Sequence, residues 1–194
     1  ALCTHPEVKA VSFVGSCHVG EHVYKLASEH GKRAQCMMGA KNHAVIMPDA
    51  SKEQSLNALV GAGFGAAGQR CMATSVAVLV GAAKDWIPDI VEKARSLQVN
   101  AGTEAGADLG PVISAQAKQR IESLIDKSVK EGAKVELDGR NPKIPGYPKG
   151  NFIAPTVISG VKPEHEVYRT EVFGPVLQVV TVDTLDEAIA VINA

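Results

Sequence analysis

Short apolar runs alternate along this chain with longer stretches in which apolar residues recur at helical spacing. Residues 9–14 read as a strand ending at Gly15, and 18–29 as a helix with Val19, Val23 and Leu26 on one face. Residues 33–38 and 43–47 are strand-like, with Gly39-Ala40-Lys41-Asn42 between them, and Pro48-Asp49-Ala50 breaks the pattern. A helix is predicted over 51–67. It opens on a capping-box spacing, Ser51 with Gln54, and carries Leu56, Leu59, Val60 and Phe64 as its apolar stripe.

Residues 73–80 are apolar except for Thr74 and Ser75, the signature of a strand buried on both faces. Further helices are predicted over 84–97, with Ile87, Ile90, Val91 and Ala94 inward, and over 114–131, with Ala117, Ile121, Leu124, Ile125 and Ser128 inward. A Gly-rich connection, 100–111, lies between them. Residues 133–137, 152–158 and 176–182 read as strands, and 138–150, with its Pro and Gly residues, as surface loop. Thr184 and Glu187 cap a last helix with Leu185, Ala188, Ile189 and Ile192 inward. Strands alternating with helices predict an α/β layered fold, with a soft domain boundary near residues 47–51.

Charge narrows the function classes. Twenty Lys and Arg against 21 Asp and Glu leave a net charge of -1, so no basic field is present to draw nucleic acid. The longest nearly apolar stretch, 73–83, is too short to span a bilayer, and no membrane partner is expected. Cys3, Cys17, Cys36 and Cys71 show no C-x-x-C pairing. No metal site is therefore expected, and a reducing compartment is favoured over a disulfide framework. The chain opens on neither Met nor a signal peptide and stops in or just after a helix, so it is expected to be an internal part of a longer one.

Three segments hold candidate chemistry. Gly63-Phe64-Gly65-Ala66-Ala67-Gly68 matches G-x-G-x-x-G, but a dinucleotide fingerprint follows a strand and opens a helix, whereas this one closes a helix. Close packing by small residues is the reading it supports. Phe13-Val14-Gly15-Ser16-Cys17-His18-Val19-Gly20 lies at a strand-to-helix turn, where free backbone N–H groups can meet an anion. An ordinary capped helix satisfies the same pattern. In Gly68-Gln69-Arg70-Cys71-Met72, Cys71 stands at a helix-to-strand junction beside a cation able to favour its thiolate. A small buried hydrophobe is the alternative there. Glu171-Val172-Phe173-Gly174-Pro175-Val176 gathers a carboxylate, a ring and a turn ahead of a strand.

Read in order, F-V-G-S-x-x-x-G, M-G-A-K-N-H, G-Q-R-C-M, D-L-G-P (Asp108 to Pro111) and E-V-F-G-P-V resemble the aldehyde dehydrogenase family over essentially the whole chain. The resemblance implies the end of an open-sheet NAD-binding domain (1–48) followed by an α/β catalytic domain (49–194), incomplete at its C-terminal side. It gives Cys71 the role of nucleophile and its backbone N–H a place in the oxyanion hole. Gly15, Ser16, Gly20 and Met38 would belong to the NAD site. Glu171 would bind the nicotinamide ribose, with Phe173 packed beside it.

Hydrolytic members carry a Glu where this chain has Met37. That departure, with the surrounding motifs, resembles the CoA-acylating branch acting on methylmalonate or malonate semialdehyde. Coenzyme A would then be the acyl acceptor, and Arg70 would pair with the substrate carboxylate. Asn is common at the Met37 position in that branch. A hydrolytic dehydrogenase and a catalytically inactive fragment are the alternatives. The resemblance also implies a homo-oligomer, dimer or tetramer, in the mitochondrial matrix of a eukaryote or the cytoplasm of a bacterium.

Overall fold

A computed structural model describes residues 1–193. These form two compact units, residues 1–40 and residues 41 onward. The first holds strand β1 (Ala10–Val14), helix α1 (Cys17–Glu29) and strand β2 (Arg33–Met37). β1 and β2 pair in parallel, Ala10 with Arg33 through Val14 with Met37, so α1 is the crossover of a βαβ unit. Gly20 and Ala27 are the buried positions of α1, seven residues apart on one face of the helix.

The second unit is a five-stranded sheet in the order β3-β4-β7-β6-β5. Its strands are β3 (His43–Ile46), β4 (Val76–Val80), β5 (Lys134–Leu137), β6 (Thr156–Ser159) and β7 (Val176–Val182). All neighbours are parallel except β5 and β6. β4 and the first five residues of β7 are buried throughout, as their apolar runs require, because both sheet faces are covered. Val76, Val78 and Val80 join a core on one face with Ile121 and Ile125 of α4 (Ala115–Lys130). Ala77 and Leu79 join a core on the other with Leu56, Leu59 and Phe64 of α2 (Lys52–Phe64) and Ile90 of α3 (Ile87–Arg95). The remaining helices are α5 (Glu166–Arg169) and α6 (Leu185–Ile192).

The α/β class expected from the alternation is the class observed. The compact units meet between Ala40 and Lys41, ahead of the Pro48 break, because β3 hydrogen-bonds to β4 and Pro48-Asp49-Ala50 is only its turn into α2. Ser114 caps α4 by accepting from the Ala117 N–H, and Thr184 and Glu187 form a reciprocal capping box on α6. Ser51 makes no such side-chain bond. Two further details differ from expectation. Residues 81–86 form a 3-10 turn ahead of α3. Residues 152–155 run into β6 without joining the ladder: the Asn151 carbonyl accepts from the Val112 N–H, and the Ala154 N–H donates to Gly139. Among the described residues no helix is long and apolar enough to cross a membrane, and no group of three or more His, Cys, Asp or Glu side chains could hold a metal ion.

Candidate active site

In the second unit, α2 stops at Phe64 and the chain reverses hand. Ala66 (φ 52°), Ala67 (φ 53°) and Gly68 (φ 68°) all lie in the left-handed region. Two alanines in succession there are strained, at a cost of about 1 kcal/mol or more each. The turn delivers Gln69, Arg70 and Cys71 before β4 begins. Cys71 is an exposed free cysteine, which excludes the small-buried-hydrophobe alternative for it. Its backbone is held: the Asn42 Nδ2 donates to the Cys71 carbonyl at 2.7 Å and to the Ala73 carbonyl at 2.9 Å. The Gln69 amide donates to the carbonyls of Ala66 and Pro111, and its oxygen accepts from the Ile113 N–H. That amide ties the Cys71 loop to the end of the D-L-G-P segment. The Arg70 guanidinium folds back along its own loop, where a Cβ on Gly65 would lie 2.8 Å from its Nη1.

The E-V-F-G-P turn lies against this loop. A Cβ on Gly68 would fall 2.1 Å from the Gly174 carbonyl oxygen, so the two turns touch backbone to backbone. Phe173, next to Gly174, is itself at φ 49° and 39% exposed, a ring held outward by a strained backbone. Arg120 on α4 donates to the Glu171 carbonyl at 3.0 Å and the Val172 carbonyl at 2.6 Å. Lys41 donates from the other side to the carbonyls of Val167 (2.8 Å) and Thr170 (2.5 Å). Burial lowers the Lys41 pKa to about 8, while the Glu171 carboxylate beside it works in the opposite direction. Cys71, Glu171 and Phe173 are thus carried on two loops that meet at Gly68 and Gly174. Replacing Gly68 by Ala is expected to destabilise the protein by about 2–4 kcal/mol, from overpacking plus a left-handed backbone. Thermal melting checks this, and an unchanged melting temperature would contradict so close an approach.

The first unit gathers the other predicted residues. The Gly15 N–H donates to the Met37 carbonyl at 3.1 Å, and a Cβ on Gly15 would lie 2.6 Å from the Phe13 ring. A Cβ on Gly20 would meet Met38 at 2.5 Å. Gly15, Ser16, Gly20, Met37 and Met38 therefore share one end of the βαβ unit. Ser16 takes the N-cap position of α1 with an extended backbone, but its hydroxyl makes no capping bond. That geometry suits a phosphate: a thirteen-residue helix offers first-turn N–H groups. Met37 is 55% exposed and does not fill the core of its unit.

Pattern reading missed the residues that anchor the two loops. Lys41, Asn42 and Gln69 fall inside motifs that give them no role, and Arg120 falls in none. Their bonds run to backbone carbonyls and N–H groups far away in sequence, which no local pattern encodes.

Comparison with known proteins follows the same lines. The profile of the aldehyde dehydrogenase family matches residues 1–194. The mitochondrial methylmalonate-semialdehyde/malonate-semialdehyde dehydrogenases [acylating] of Bos taurus and Homo sapiens are each 60% identical over 192 residues. That is 99% of this chain and 36% of each relative, so the chain spans about a third of their length. Among solved structures, a methylmalonate-semialdehyde dehydrogenase from Oceanimonas doudoroffii superposes with a TM-score of 0.95 at 45% identity, covering all of this chain and 40% of that one. The betaine aldehyde dehydrogenase of Staphylococcus aureus, solved with NAD+, gives 0.92 at 32% identity, covering 98% and 38%.

Proposed function

Because the chain belongs to the aldehyde dehydrogenase family, we propose that it is the central segment of an NAD-dependent, CoA-acylating dehydrogenase of methylmalonate or malonate semialdehyde. Residues 1–48 would close the cofactor domain and 49–194 would form most of the catalytic domain. The observation that carries the reading is the exposed Cys71, pinned by Asn42 and seated against the turn that bears Glu171 and Phe173.

The Cys71 Sγ, as thiolate, attacks the aldehyde carbon and forms a thiohemiacetal. Its backbone N–H donates to the developing oxyanion. Bound NAD supplies the hydride acceptor, leaving a thioester on Cys71. The Arg70 guanidinium holds the substrate carboxylate as a charge-assisted pair. Gly15, Ser16 and Gly20 line the turn for the pyrophosphate, with Met38 against Gly20. Glu171 accepts from the nicotinamide ribose hydroxyls, and Phe173 packs beside that end. With a thioether at Met37, no carboxylate activates water from that position. The coenzyme A thiolate therefore takes the acyl group, giving propionyl-CoA or acetyl-CoA with loss of CO2. The relatives named mitochondrial and [acylating] support a mitochondrial enzyme and this acceptor. A homo-oligomer is proposed with them.

Glu171→Gln in the full-length enzyme tests the cofactor assignment. Two hydrogen bonds to a charged acceptor become neutral ones, so the NAD Kd is expected to rise about tenfold. An unchanged Kd by calorimetry would remove Glu171 from the cofactor site.

A further inference from the structure

Lys41, Asn42 and His43 run consecutively into β3, and each side chain reaches a different loop residue. Lys41 holds the carbonyls of Val167 and Thr170, Asn42 those of Cys71 and Ala73, and the His43 Nε2 lies 2.8 Å from the Tyr168 hydroxyl. Successive side chains of an extended segment point to opposite sides. One short segment can therefore grip the nucleophile loop on one side and α5 with the turn that follows it on the other. Its backbone is fixed in turn, because the Asn42 carbonyl accepts from the Ser75 and Val76 N–H groups and His43 is paired with Val76.

We propose that Lys41 and Asn42 are positioning residues forming a two-armed bracket, in which Asn42 sets the nucleophile and Lys41 independently sets the ribose-binding carboxylate. The inference rests on the reading above, that Cys71 attacks and Glu171 meets the ribose. Both N–H bonds of the Asn42 amide are committed to the nucleophile loop. Holding the Cys71 carbonyl limits rotation about its Cα–C bond and so restrains the backbone from which the Cα–Cβ bond bearing Sγ projects. The Lys41 ammonium clamps two carbonyls just ahead of Glu171 and attracts its carboxylate.

The Lys41 arm depends on protonation. Burial places its pKa at about 8, so the ammonium is complete below that pH and is lost above it. The charged and titratable neighbours do not reproduce this behaviour. Burial lowers the pKa of His43, moving it further from that of Lys41. Arg120 is held on the Glu171 and Val172 carbonyls, Arg169 donates to Pro163, and Glu166 pairs with Lys127.

The test uses the full-length enzyme. Lys41→Met is expected to raise the NAD Kd at least about tenfold, the loss of one charge-assisted set of bonds, with the acylation burst rate at saturating NAD changed by less than about threefold. Lys41→Arg keeps the charge and should recover most of that affinity. Asn42→Ala is expected to do the reverse, slowing the burst about tenfold while the NAD Kd stays within about twofold. If each variant moves both quantities in proportion, or neither moves either, the bracket is overturned in favour of general stabilisation. Should Lys41→Met fail to fold, the unaltered enzyme decides that arm. Its NAD Kd should rise through about pH 8, and a flat profile from about pH 7 to 9 would overturn it. Glu171→Gln separates the two readings. If it leaves the Kd unchanged, the cofactor assignment fails. If it weakens binding while Lys41→Met does not, only the bracket fails.

Discussion

Cys71→Ala in the full-length enzyme is expected to abolish NADH production, because no other atom at this junction can form the covalent intermediate. Removing the nucleophile from an enzyme that works through an acyl intermediate costs on the order of 10⁶-fold in kcat. Cofactor binding should survive, since Ser16, Gly20 and Glu171 are untouched. The fold should survive as well. Cys71 is exposed, so trimming its sulfur opens no cavity, and substitutions of that kind stay within about 0.5 kcal/mol. The three other cysteines, Cys3, Cys17 and Cys36, all lie in the first unit. The expected pattern is a melting temperature and NAD Kd near those of the unaltered enzyme, with no burst of NADH. Retained turnover would reject Cys71 as nucleophile, and with it the covalent mechanism.

Sequence made the periodic elements of this fold legible, because period and capping act locally. α4 keeps its apolar stripe over sixteen residues and α6 its Thr184–Glu187 capping box, but of the α6 residues expected inward only Ala188 is buried, while Leu185, Ile189 and Ile192 are exposed. Where tertiary contacts override local preference, the pattern misled. Alanine is the best helix former, yet Ala66 and Ala67 take left-handed backbone because Gly68 must pass against the Gly174 carbonyl. Phe152 and Ile153 are buried and apolar like strand residues, but their segment bonds to loops instead of a ladder. α5 is four residues long and too short to show a period.

The candidate site divides in the same way. Cys71, Glu171 and Ser16, to which the family resemblance assigns reactive or binding roles, lie in short motifs that the sequence displays. Lys41, Asn42, Gln69 and Arg120 act through long-range bonds to backbone groups, and they become visible only when the loops they hold are seen together.

Rapid turnover is expected to require coenzyme A. A positioned general base is worth about 10²–10⁴-fold in rate, and the thioether of Met37 cannot accept a proton from water. Its position is not that of a residue filling the core of its unit. It is 55% exposed at the end of β2, and its carbonyl accepts from the N–H of Gly15 in the proposed cofactor turn. Without coenzyme A, the expected trace is a burst of NADH near one per active site, followed by a slow phase limited by attack of water on the Cys71 thioester. Adding coenzyme A should speed the slow phase and leave the burst amplitude unchanged, because acylation precedes acyl transfer. Met37→Glu restores a carboxylate at this strand end. It should raise the slow phase without coenzyme A, by up to about 10²-fold if the carboxylate reaches the attacking water. The gain should be larger above the ordinary carboxylate pKa of about 4.3, where the side chain is ionised and able to act as base. An unaltered enzyme that turns over equally fast with and without coenzyme A would defeat the acylating assignment. Another residue would then be activating water, and the hydrolytic reading would take its place.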